Sequence, residues 1–200
     1  ILAPLVLLAR TGSLGGRKRW ILLYFAGLGG AYMFLEIAFI QRFTLFLAYP
    51  VYAVAIVLTG FLVFSGLGSF AAGMWRVGLG RGVALSVAAI ACITGLYVLL
   101  LPEVFTFCAG WPDAAKACVS IALLAPLAFC MGIPFPAGLQ VVSMRWNTAV
   151  PWAWGINGCA SVIGATLATV LAVHWGFRAV LAFAVGMYIL SALSGRRLAS

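Results

Sequence analysis

The chain has 200 residues, of which 66% are hydrophobic and 8% charged, and a formal net charge of +9. A water-soluble fold of this size cannot hide so much apolar surface, which excludes an ordinary soluble domain and, with it, a soluble catalytic domain. Apolar runs close to the roughly 20 residues needed to cross a bilayer recur along the whole chain, so the fold class is all-α, a polytopic transmembrane helix bundle.

In chain order, residues 1–9 (ILAPLVLLA) are too short to span, and they show neither an initial Met nor the charged-then-apolar order of a signal peptide. The expectation is a truncated helix end cut from a longer protein, followed by a basic cytoplasmic loop, together filling residues 1–19. Residues 20–200 are expected to form the bundle, with about six full spans at 20–41, 51–74, 82–101, 117–139, 153–174 and 178–195. Pro50 in LAYPVY marks a turn or kink between the first two spans. Pro126 sits inside the fourth span, and Pro134 and Pro136 in MGIPFPAG break its inner end, because each proline removes a backbone donor and crowds the preceding turn.

The twelve Lys and Arg residues are sorted between the span ends. Arg10, Arg17, Lys18, Arg19, Arg76, Arg81, Arg145, Arg196 and Arg197 fall on one side. Arg42, Lys116 and Arg178 fall on the other, together with Glu103 and Asp113. The positive-inside rule makes the first side cytoplasmic and puts the C-terminus there. The charges thus read as orientation signals meeting anionic lipid, with no aromatic and basic groove to suggest nucleic acid. If residues 1–9 complete a true span, whatever precedes them lies outside; a re-entrant or interfacial segment would keep it inside.

Cys92, Cys130 and Cys159 lie within spans, where a small thiol packs well. Cys108 and Cys118 flank the outer loop FCAGWPDAAKAC, which a disulfide could close in an oxidising compartment. His174 beside Trp175 reads as an interfacial residue, and no second His or Cys pair stands at zinc-ligand spacing. No cofactor site is legible in this chain.

Small residues mark close helix packing: Gly27 and Gly30, then Ser65, Gly66, Gly68 and Ser69, then Gly155, Gly158, Ser161, Gly164 and Ala165. The GLGS at 66–69 lacks the preceding strand and following Lys of a phosphate loop. One acid lies deep in a span: Glu36, in AYMFLEIAFIQRF, with Gln41 and Arg42 beyond it. A carboxylate there costs a few kcal/mol unless protonated or paired, so it should face the bundle interior. Arg42, six residues on, lies on nearly the opposite face. Asn157 is the expected partner, with Thr59, Ser65 and Thr94 as weaker candidates. Glu36, Gln41, Arg42 and Asn157 are therefore the candidate intramembrane polar site, serving either as a polar clamp between helices or as a proton or cation relay.

The stretches GLGGAYMFLEIAFIQRFTLFLAYPVYAVAIVLTGFLVFSGLGS, CMGIPFPAGL, VPWAWGINGCASVIG and HWGFR resemble, in this order, the membrane portion of bacterial multi-pass spermidine synthase-like proteins. The resemblance covers nearly all of residues 20–195. It implies a bacterial inner-membrane protein in which a nucleotide-binding domain of the aminopropyltransferase or methyltransferase type precedes this block. The Gly-rich turn and acidic residues of such a domain do not occur here, so no catalytic residue carries over to this chain. Two functions follow as expectations. The chain is either the membrane anchor and substrate-access module of that adjoining domain, or half of a transporter-like bundle that moves a cation or polyamine. Its expected partners are the lipid bilayer and the adjoining domain.

Overall fold

The computed structural model describes residues 17–199. Among them every regular element is helical: α1 (Lys18–Leu47), α2 (Pro50–Met74), α3 (Arg81–Phe107), α4 (Asp113–Gly132), α5 (Pro134–Arg145), a 3-10 turn (Asn147–Ala149) and α6 (Val150–Ala199). With α4 and α5 taken as one stretch, five segments are long and apolar enough to cross a membrane, as in a multi-pass integral membrane protein. Many large apolar side chains, among them Leu45, Leu62, Phe70, Leu85, Leu99 and Val173, point outward. Against hydrocarbon that orientation costs nothing, which is why the helices can be apolar all round.

The helices run longer than the apolar runs suggest. Gln41 and Arg42 lie inside α1, Glu103 inside α3, Asp113 and Lys116 in the first turn of α4, and Lys18 and Arg19 in the first turn of α1. The expected loops are therefore shorter, and their charges sit on helix ends. The expected helix end and loop at 1–16 lie outside the described residues. Ala48, with φ 62, closes α1 in a left-handed cap whose N–H reaches the Thr44 carbonyl. Pro50 follows as the first residue of α2, where its missing N–H is no loss.

α6 is 50 residues long, about 75 Å if straight and more than twice a bilayer core. It does not stay straight. Gly176 adopts φ 78 and ψ 174, a conformation essentially confined to glycine, and the chain doubles back there. Contacts with α1 establish the reversal. In the first half, residues 150–175, Asn157 meets Phe25, Ser161 meets Gly29 and Gly164 meets Gly30, so this half runs parallel to α1. In the second half, residues 177–199, Phe177 meets Phe39, Met187 meets Gly30, Ser191 meets Gly27 and Gly195 meets Tyr24, so that half runs antiparallel. The expected division between 153–174 and 178–195 is thus a tight turn at one glycine within a continuous helical stretch.

α1 is the hub. Two-thirds of its most apolar window is buried (67%), against 17% for α6. Glycines allow this close approach: a Cβ on Gly164 would lie 2.9 Å from the Cα of Gly30. On its other side α2 packs on α4 backbone to backbone, Gly68 against the Phe129 carbonyl and Gly132 against the Ser65 carbonyl. Gly66 and Gly158, by contrast, face open space.

The expected break at Pro134 and Pro136 is present. The helix is interrupted at Ile133, between α4 and α5, although Ile133 keeps helical dihedrals (φ −74, ψ −44). What is lost is the hydrogen-bond ladder, and other helices repair it. Pro134 cannot donate to the Cys130 carbonyl, which accepts Ser86 Oγ at 2.7 Å together with the Ile133 N–H at 3.3 Å. Near Pro126 the Tyr97 hydroxyl donates to the Leu123 carbonyl. At the end of α5, Arg145 donates at 2.9 Å to the carbonyls of Leu198 and Ala199, closing the last turn of α6.

Candidate functional site

The break between α4 and α5 leaves room beside it. A cavity of about 520 Å³ lies there, within the usual range for small-molecule sites of about 300–1,000 Å³. α1 contributes Leu28, Gly29, Tyr32 and Met33, and α2 contributes Leu62, Ser65, Gly66 and Ser69. The break contributes Met131, Gly132, Phe135 and Pro136; α6 contributes Trp154, Asn157 and Ser161 from its first half and Tyr188 from its second. Leu62 and Trp154 are also exposed on the outer surface, so the cavity opens sideways between α2 and the first half of α6.

The polar groups of this cavity are fixed by specific bonds. Asn157 Nδ2 donates to the Phe25 carbonyl at 3.1 Å, and Ser161 Oγ lies 3.3 Å from the Gly29 carbonyl and 2.9 Å from the Asn157 carbonyl. Gly29 is required at this point, because any Cβ would collide with the Asn157 backbone. Tyr32 and Ser65 share a 3.2 Å hydrogen bond between α1 and α2. Two groups remain unspent: among the described residues the Asn157 Oδ1 and the Tyr188 hydroxyl have no partner, although Tyr188 is only 1% exposed. Phe135 packs edge-on against Trp154 at 4.7 Å and against Phe25 at 5.5 Å, forming an aromatic wall. Among the described residues no charged side chain lines the cavity. An uncharged group with both a donor and an acceptor fits such a lining.

The four polar residues picked from the sequence do not meet. Glu36 faces inward, 8% exposed, but it makes no hydrogen bond among the described residues and does not line the cavity. Its expected pairing with Asn157 is not formed. Asn157 is spent on Phe25, eleven residues and about 16 Å earlier along α1. Ser65 pairs with Tyr32 instead, and Thr94 Oγ1 is buried without a partner. Gln41 also lacks a hydrogen-bond partner among the described residues. Arg42 lies at the far end of α1 between the rings of Phe105 and Phe177.

Tyr32, Phe135, Trp154 and Tyr188 are lining residues that polarity in the sequence did not single out, while Ser65 was named only as a weaker partner for Glu36. Tyr32 stands one turn before Glu36, so it was within reach of a helical-face argument. Cys108 is buried and Cys118 exposed, and both thiols are free rather than joined. His174 Nδ1 lies 2.9 Å from the Val170 carbonyl. No protein family, curated protein or solved structure matches the chain.

Proposed function

We propose that this chain is the membrane-embedded module of a protein resembling the bacterial multi-pass spermidine synthases, crossing a bacterial inner membrane six times with a cytoplasmic C-terminus. It anchors a transferase domain that lies outside this chain and gives that domain access to the bilayer through the central cavity. One observation carries the reading. Three of the stretches on which the resemblance rests, from Gly29 to Ser161 at their extremes, converge on a single cavity: Gly29, Tyr32 and Met33; Met131, Gly132, Phe135 and Pro136; Trp154, Asn157 and Ser161. The fourth, HWGFR, holds the Gly176 reversal that brings Tyr188 to the same cavity.

The second reading, half of a transporter-like bundle for a cation or polyamine, has the broken helix in its favour, since interrupted helices line transport sites. The absence of any acidic side chain from the lining weighs against it, because a desolvated polycation needs carboxylates. The part of a substrate that enters this cavity is uncharged.

The test uses Gly66, which lines the cavity and has nothing within 4 Å of an added Cβ. Gly66→Leu therefore fills the space without displacing a helix. The chain is expressed with whatever its gene encodes ahead of it, and transfer of an aminopropyl or methyl group from an adenosyl donor is measured in membranes. Membrane-bound transfer that falls several-fold in Gly66→Leu is the expected result. Absence of transfer, together with uptake of labelled polyamine by proteoliposomes, replaces this reading with the second.

A further inference from the structure

The three basic residues that lie opposite the other nine come from three different helices, yet they gather at one place. Arg42 of α1 and Arg178 of α6 line a cavity of about 360 Å³ with Tyr97, Trp175 and Phe177. Arg42 and Lys116 of α4 line a second cavity of about 460 Å³ with Phe46 and Phe105. Arg42 and Pro102 belong to both, so the guanidinium forms the partition between two openings at this end of the bundle. It is held there by aromatic rings, with its central carbon 5.9 Å from the Phe105 centroid and 5.6 Å from that of Phe177. The Lys116 ammonium sits 5.9 Å from the Phe46 ring.

The rings fix the guanidinium but accept none of its hydrogen bonds. Arg42 Nε is buried without a partner, and among the described residues Arg42 makes no hydrogen bond or ion pair. A buried charged donor left unsatisfied is costly, and the described residues supply no acceptor here. Glu103 and Asp113 share this end of the bundle, but both are exposed and line neither cavity. Glu36 lies six residues back along α1 and lines neither. A planar fork of donors with two further cations beside it matches a tetrahedral or planar oxyanion, which can take two parallel N–H bonds from Arg. Placing three cations on the side that topology leaves poor in positive charge is itself unexplained by orientation signalling.

We propose that Arg42, flanked by Lys116 and Arg178, forms an oxyanion site of the phosphate class at the end of the bundle where α6 reverses. Its occupant is a phosphate group, carried either by an anionic lipid headgroup or by free phosphate. Gly176 is part of the device, because its turn brings Trp175, Phe177 and Arg178 around the guanidinium.

The experiment uses the full chain purified into nanodiscs of phosphatidylcholine, with or without phosphatidylglycerol. Lipid retained by the protein is counted by native mass spectrometry, and inorganic phosphate is titrated in the neutral discs. The expected result is saturable binding of one probe, weakened about tenfold or more in Arg42→Gln and less in Lys116→Gln and Arg178→Gln. Retained phosphatidylglycerol without phosphate binding identifies the lipid as the source, and phosphate binding without retained lipid identifies the free anion. Arg42→Lys keeps the charge but not the fork, so it should bind several-fold more weakly than the parent while eluting as a monodisperse particle. Binding of neither probe, or binding that the three Gln variants leave unchanged, overturns the proposal.

Discussion

The hydroxyl of Tyr24 donates to the Pro134 carbonyl at 2.6 Å, joining the first turns of α1 to the start of α5 across 110 residues of sequence. The ring is fully buried and is gripped by two glycines, Gly138 of α5 and Gly195 of α6. Tyr24→Phe keeps that packing and removes one buried hydrogen bond, so it should cost about 1 kcal/mol. Tyr24→Ala also empties the slot between the glycines and should cost about 3–5 kcal/mol. Denaturant unfolding in mixed micelles checks both, and equal costs for the two variants would show that the ring contributes nothing.

Gly66 and Gly68 stand two residues apart on α2 and predict opposite outcomes. A Cβ on Gly68 runs into the backbone of Phe129, which cannot yield, whereas one on Gly66 meets open space. Gly68→Ala should destabilise by more than about 1 kcal/mol, and Gly66→Ala should be neutral or mildly stabilising, as Gly→Ala is in an unobstructed helix. Thermal denaturation of the two variants side by side decides it.

Two hydroxyls of α3 bond carbonyls of α4, one of them the carbonyl that Pro134 deprives of its helical donor. Ser86→Ala removes the stronger of the two donors to the Cys130 carbonyl beside Pro134, leaving the Ile133 N–H at 3.3 Å, and Tyr97→Phe removes the side-chain donor to the Leu123 carbonyl. Each removes one buried hydrogen bond from a carbonyl that keeps a backbone donor, and should cost about 0.5–1.5 kcal/mol. Restoring the ladder locally, as in Ser86→Ala combined with Pro134→Ala, should recover part of the loss. A double variant no more stable than Ser86→Ala alone would contradict this coupling.

The bundle was legible because apolar run length is set by the bilayer and acts on every segment independently. The break at Ile133 was legible for a similar reason: Pro134 and Pro136 lose their donors whatever surrounds them. The reversal at Gly176 was visible only as a gap between two apolar runs, since a single glycine in HWGFR does not announce a positive φ. Helix ends were misjudged where charged residues such as Arg42 and Glu103 were assigned to loops, although a long side chain at a helix end can reach the interface while its backbone stays helical. The Asn157 pairing failed for a geometric reason. Polarity named Glu36 and Asn157 as the conspicuous groups of their helices, but the register of α6 on α1, set by Gly29, Gly30 and Gly164, delivers Asn157 to the Phe25 carbonyl three turns away.

Glu36 therefore stands buried without a hydrogen-bond partner among the described residues. A polar group in that condition is destabilising relative to an apolar one of similar size. Glu36→Leu should raise stability by about 1–2 kcal/mol, and Glu36→Gln should change it little. Urea or thermal unfolding of the two variants is the check. A loss of stability in Glu36→Leu would mean that the carboxyl holds a partner in the folded protein.

The arrangement of every site described above rests on α6 turning back at Gly176, and its sidedness is the most direct test. Single cysteines replace Arg81, Trp175 and Arg196 in turn, in a background from which the five native cysteines have been removed. They are probed with a membrane-impermeant maleimide in intact and in permeabilised cells. Trp175→Cys, on a residue 63% exposed at the reversal, should label in intact cells. Arg81→Cys and Arg196→Cys should label only after permeabilisation, placing the start of α3 and the end of α6 on the same, cytoplasmic side. Labelling of Arg81→Cys and Arg196→Cys from opposite sides, with Trp175→Cys unreactive, would mean that α6 crosses once without reversing and would contradict the account.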